Sequence, residues 1–140
     1  MKKILLIAFL LSFGLLVEAN NEEKMTYISK NIIGFENMFG NKISDQPDQE
    51  VFGYLRFPDD TNATNKYPLI IASHGSSNWR DHHMKYLEQM RQAGYAVFAM
   101  HLFDSRDISS TVGNQTNLTL ETAVYDMAMT HKLLWNDPRI

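Results

Sequence analysis

Leu69-Ile70-Ile71-Ala72-Ser73-His74-Gly75-Ser76-Ser77-Asn78-Trp79 passes from an unbroken apolar run into a loop of small residues. A short continuous apolar run with no polar alternation reads as a strand covered on both faces, the habit of parallel strands in α/β proteins. The loop then lies at the carboxyl end of that strand, where open α/β sheets bind their ligands. Gly75 has no Cβ, so a ligand or another backbone can approach closely there. Ser76 and Ser77 keep the loop small and leave its backbone N–H groups free to point outward.

Downstream, Asp81 offers an N-cap for a helix with Tyr86, Leu87, Met90 and Ala93 on one face, and Gly94 ends it at the C′ position. Tyr95–Met100 forms a second buried strand. Residues 103–118 are a long polar connection, with glycosylation-type sequons at Asn114 and Asn117 and a third at Asn62. A helix from about Thr119 to Trp135 is expected to bury Leu120, Val124, Met127 and Leu134, and Pro138 prevents its continuation. Strand, helix, strand, helix is the order of a parallel sheet with crossover helices.

Upstream, Val51–Phe57 alternates, with Val51, Gly53 and Leu55 on one side and Phe52, Tyr54 and Phe57 nearer the other. Asn41–Glu50 is turn-rich, and Met25–Ile33 has the loose alternation of a short leading strand. Met1–Ala19 has the form of a secretory signal. Lys2 and Lys3 are followed by an apolar run from Ile4 to Val17, with Val17-Glu18-Ala19 at the cleavage position. The domains expected are therefore a leader over 1–19 and the amino-terminal part of an α/β domain over 20–140, with a periplasmic or secreted location and no membrane association after cleavage.

The formal net charge is −3 and no basic stripe occurs, which argues against a nucleic-acid partner. The absence of cysteine excludes a disulfide framework and a thiol site in these residues. G-x-G-x-x-G and G-x-x-x-x-G-K are both missing, so a nucleotide-binding reading is weak. His74, His82, His83 and His101 invite a metal reading. However, adjacent helical residues point about 100° apart, and no metal or other cofactor is expected.

Pro68–Ser77, residues 93–100 (A-G-Y-A-V-F-A-M), Arg106, residues 112–116 (V-G-N-Q-T), the helix around Asp126 and residues 137–140 (D-P-R-I) together resemble, in order and spacing, the first half of an α/β-hydrolase of the dienelactone hydrolase type. The resemblance covers about half the chain. It implies an α/β fold with a parallel, hydrolase-type sheet and flanking helices, and hydrolysis of a small-molecule carboxylic ester or lactone. It also implies an oxyanion hole in which the backbone N–H of Ser76, with Ser77 second, supplies one donor. His74 and Gly75 are expected to line the substrate site, His74 bracing the loop through its ring. Arg106 either holds a substrate carboxylate or pairs with Asp104 or Asp107.

His101 stands where the family often has an acid, which is displaced here to Asp104. In the family D-P-R-I leads into the strand carrying G-x-S-x-G or G-x-C-x-G, so the nucleophile, acid and base are expected beyond Ile140 and the sequence reads as a fragment. Two alternatives stay open: a non-catalytic binding module on the same sheet, and an inactive truncated remnant.

Overall fold

A computed structural model describes residues 22–40, 42–59 and 66–140; the leader expected at 1–19 and the sequon at Asn62 lie outside them. The order of elements is β1 (Glu22–Lys30), α1 (Phe35–Phe39), β2 (Asp48–Arg56), β3 (Leu69–Ala72), α2 (Asp81–Gln92), β4 (Ala96–Met100) and α3 (Leu120–Leu134). The four strands form one sheet in the order β1-β2-β4-β3. It is an α/β domain with a mixed sheet, not the parallel sheet expected. Only β3 and β4 run parallel, joined across α2, whereas β1–β2 and β2–β4 are antiparallel.

The leading strand is longer than its loose alternation suggests. Glu22–Lys30 pairs along its whole length with β2, which itself begins inside the segment read as a turn-rich connection. In β2 the alternation holds: Val51, Gly53 and Leu55 are buried. Gly53 is needed for close approach, since a Cβ there would stand 2.4 Å from the Phe98 ring. Phe57 departs from its expected side because the strand ends at Arg56. Its ring turns inward and meets Tyr67 edge-on in the core.

β4 is the innermost strand, every residue buried between β2 and β3. β3 is a correction to the expected doubly covered strand. It is an edge strand whose four residues are all only partly buried. The carbonyl of Pro68 accepts from Ala96 on the β4 side. Successive backbone groups alternate sides along a strand, so the Tyr67 N–H faces the other side, where it donates to the Arg139 carbonyl at 2.8 Å.

α2 starts at Asp81, but its N-cap is Arg80, not Asp81. The imidazole of His83 accepts from the Arg80 N–H at 3.1 Å, and the carboxylate of Asp81 sits in the first turn where the helix dipole favours it. Gly94 ends the helix with φ +94°, as its position predicts.

α3 is capped by the Thr119 hydroxyl, which accepts from the Thr122 N–H at 3.2 Å. The side it presents to the domain differs from the one expected. Thr122, Asp126, Thr130 and Leu134, spaced four apart, are buried, while Leu120, Val124 and Met127 stay 66%, 44% and 45% exposed. The inward stripe is polar because β1 and the turn after it offer polar partners. Thr122 Oγ1 accepts from the Ile32 N–H at 2.8 Å, Thr130 bonds the Tyr27 hydroxyl at 2.5 Å, and the Ser29 hydroxyl donates to Asp126. Burial pushes the Tyr27 phenol up to about 12.

Candidate oxyanion loop and cleft

The residues between β3 and α2 fold as a tight turn. The Asn78 N–H donates to the Gly75 carbonyl at 3.0 Å, so Ser76 and Ser77 are its two central residues. Their N–H groups point out of such a turn, and among the described residues neither finds an acceptor. Asn78 leaves the turn in the left-handed region, φ 64°, a conformation asparagine tolerates. Its side-chain oxygen accepts from the Trp79 N–H at 2.7 Å, and its amide nitrogen donates to Asp104 at 2.8 Å.

His74 holds the turn from below. Nδ1 lies 2.9 Å from the Gly75 carbonyl, which can only accept, so Nδ1 carries the proton. The ring is 9% exposed and edge-on to Phe103 and Trp79 at 4.3 and 5.6 Å. Burial lowers its pKa, keeping the imidazole neutral. Nε2 then presents a lone pair, and it is a buried side-chain atom with no partner among the described residues.

A second loop clasps the turn. The Ser76 carbonyl accepts from the Thr111 N–H at 2.9 Å and the Ser110 hydroxyl at 2.8 Å, and the Ser76 hydroxyl donates to Gln115 at 3.2 Å. With its carbonyl tied down on both sides, the peptide keeps its N–H direction fixed. Gly75 is exposed, and a Cβ there would meet nothing within 4 Å. No part of the described chain requires the close approach read from the sequence, and the free space lies toward the cleft. That cleft, about 420 Å³, is lined by residues 73–76, by Leu102, Phe103, Thr111 and Gln115, and by α3 from Leu120 to Met127.

Arg106 is placed elsewhere. Its guanidinium donates to both carboxylate oxygens of Asp126 at 2.8 and 3.0 Å, to Asn31 at 2.7 Å and to the Leu102 carbonyl at 3.1 Å. The side chains of Arg106 and Asp126 are 6% and 0% exposed. The pairing is structural, with Asp126 as the partner and not Asp104 or Asp107, and the donor fork is spent before a substrate carboxylate could reach it. Burial raises the Asp126 carboxyl, against the pull of Arg106 and Ser29.

Asp104 serves a different pair. It accepts from Asn78 and stands 2.6 Å from His101 Nδ1, whose ring stacks on Phe52 at 5.2 Å. Burial pushes its carboxyl up, but the bonds from His101 and Asn78 prevail and hold it below the usual range.

The structure thus brings His74, Gly75, Ser76 and Ser77 together and sets Arg106 apart. It adds Asn78, Thr111 and Gln115, whose partners lie 26 to 39 positions away in the sequence. No periodicity marks such contacts; only the density of hydroxyl and amide residues near 110–116 hinted at them. Among the described residues no group of three or more metal-ligating side chains converges, and no helix is long and apolar enough to cross a membrane.

Chemically, the turn can offer paired N–H donors to an anionic oxygen. Neither serine is activated as a nucleophile by the described residues, because the Ser76 hydroxyl donates to an amide oxygen and no base among them lies at hydrogen-bond distance from Ser77. Compared with protein-family models and with curated proteins, the chain matches none.

Proposed function

We propose that this chain contributes the oxyanion-binding side of a carboxylic ester or lactone hydrolase resembling dienelactone hydrolase. The observation that carries the reading is the Gly75–Asn78 turn at the carboxyl end of β3, with the Ser76 and Ser77 N–H groups unpaired among the described residues. In acyl transfer the former carbonyl oxygen gains negative charge in the tetrahedral intermediate. Preorganised N–H donors aimed at that oxygen lower the barrier, about 3 kcal/mol for one donor. In α/β-hydrolases one such donor comes from the loop between the third strand and the helix after it, and the other from the residue following the nucleophile. The 73–80 loop occupies the first of these places.

The geometry supports the following roles. Ser76 supplies the first donor and Ser77 the second candidate. Gly75 leaves the approach open, and His74 fixes the turn by donating to the Gly75 carbonyl. Arg106 is not assigned to substrate. The nucleophile, acid and base are assigned to sequence following Ile140. The Arg139 carbonyl accepts from the Tyr67 N–H on the side of the strand away from β4, which supports placing a following strand beside β3. No metal or cofactor enters the proposal, and the exported location remains part of it.

The test is the coding sequence downstream of codon 140. It is expected to encode, within about ten residues, a strand ending in Gly-x-Ser-x-Gly or Gly-x-Cys-x-Gly. An immediate stop, or continuation without such an elbow, sinks the hydrolase reading and leaves a binding module or an inactive remnant.

A further inference from the structure

The far end of the turn is tied to the sheet through one carboxylate. Asn78 closes the turn with its own N–H, which donates to the Gly75 carbonyl at 3.0 Å. A trans peptide points its C=O and N–H opposite ways, so whatever fixes the Gly75 carbonyl also fixes the direction of the Ser76 N–H. Asn78 does this from a left-handed backbone, φ 64°, which any residue with a Cβ adopts at a cost. Its side chain is pinned at both atoms, Oδ1 by the Trp79 N–H at 2.7 Å and Nδ2 by Asp104 at 2.8 Å. The first bond is local to the loop; the second reaches the end of β4.

Asp104 itself stands on a stiff base. Its other oxygen lies 2.6 Å from His101 Nδ1, and an ionised carboxylate can only accept, so Nδ1 donates. The His101 ring is placed by β2, stacked on Phe52 at 5.2 Å and edge-on to Tyr54 at 5.0 Å. Beneath it the backbone folds back, the Ser105 N–H and hydroxyl donating to the His101 carbonyl at 3.1 and 2.6 Å. β4 lies between β2 and β3, so these groups are on the other side of β3 from a strand added at its edge.

We propose that Asp104 is a positioning residue of the oxyanion turn: seated by His101, it holds Asn78 in the left-handed conformation that aims the Ser76 N–H. The proposal rests on the hydrolase reading, which makes that N–H a donor to the reacting oxygen. Ser77 borders a second cleft with Arg80, Asp104 and Asp107, where two carboxylates face one guanidinium and disfavour an anion, so the donor at stake is Ser76. A donor aimed at a transition-state oxygen adds little to substrate binding, so misaligning it shows in kcat and not in KM. The position needs an acceptor for Asn78 more than a charge. In Asp104→Asn, Oδ1 can accept from Asn78 while Nδ2 donates to a His101 ring whose proton has moved to Nε2.

The test is steady-state kinetics of the complete gene product on an activated carboxylic ester. Asp104→Ala is expected to lower kcat about tenfold or more, short of the loss for deleting the donor outright, with KM unchanged. Asp104→Asn should regain most of that kcat, and the ¹⁵N resonances of its labelled His101 ring should report the proton on Nε2 in place of Nδ1. Asn78→Gly cuts the same bond from the other end, at a residue to which the left-handed backbone is no burden, and should match Asp104→Ala even where that variant folds poorly. The double variant should fall no further than either single one, as for two residues acting through one bond. Unchanged kcat in Asp104→Ala or Asn78→Gly, a loss confined to KM, or Asp104→Asn no better than Asp104→Ala overturns this inference alone. No esterase activity in the unaltered protein fells the hydrolase reading and this inference with it.

Discussion

His74 is placed by its neighbours to do one thing well, which is to hold a carbonyl. Its Nδ1 proton goes to Gly75, and its ring is walled by Phe103 and Trp79. Replacement by phenylalanine keeps the volume and removes the bond. It is expected to cost roughly 1 kcal/mol of stability, as for one hydrogen bond lost, and to broaden the Ser76 and Ser77 amide resonances as the turn loosens. Unchanged, sharp resonances in His74→Phe would show that the ring does not fix the turn.

The same residue gives a pH dependence whose sign is set by burial. Its folded pKa lies below the unfolded value, so the unfolded chain takes up a proton first on acidification. Its contribution is full above the unfolded pKa, near 6.5, and is lost as pH falls through the folded one. Denaturant midpoints should therefore decline as pH is lowered below about 6.5, and His74→Phe should flatten that decline; identical slopes for the two proteins would contradict this.

Arg106 and Asp126 form the other decisive pair. Arg106→Leu leaves a buried carboxylate without its guanidinium and should cost about 3–5 kcal/mol. The double variant with Asp126→Leu should recover most of that, whereas a loss as large in the double variant would argue against the pairing. The sequence showed an arginine with acids close by, at Asp104 and Asp107. It could not show that the partner waits twenty positions on, because the pairing depends on where α3 crosses β1.

At the scale of elements, what could be read and what could not divide along α3 and β3. The limits of α3 were legible from Thr119, the apolar spacing and Pro138. The face turned inward was not, because hydrophobic spacing alone cannot say that β1 supplies the hydroxyls of Tyr27 and Ser29 for Thr130 and Asp126. The consequence is measurable. Leu134→Ala, at a wholly buried site, should cost about 2–5 kcal/mol, whereas Val124→Ser should change stability by less than about 0.5 kcal/mol, as at an ordinary surface position. Equal losses would mean that Val124 is covered. β3 was recognised by its apolar run and its small-residue loop, yet its rank in the sheet was not. An apolar run reports that a strand prefers cover, not whether strands flank it on both sides.

For the whole molecule, β1 and β3 are the two edges of the described sheet, and β4 lies between β2 and β3. Unpaired backbone groups along Leu69–Ala72 and the apolar stripe of α3 make two adhesive surfaces on the described chain. Residues 20–140 produced alone are expected to self-associate, as seen by sedimentation velocity. A monomeric profile with a sharp, reversible thermal transition would contradict this and favour a self-contained binding module.

The central claim is that the Ser76 N–H is an oxyanion donor, and it can be tested at one atom. Ser76 is the first central residue of a turn in which proline is well accepted, so Ser76→Pro deletes the N–H while the chain keeps its path. The measurement is kcat of the complete gene product on an activated carboxylic ester, with the Asn78 amide resonance as a check that the turn persists. A fall of about 10²–10³-fold with the turn intact is predicted. Full activity in Ser76→Pro, or no esterase activity in the unaltered protein, would contradict it.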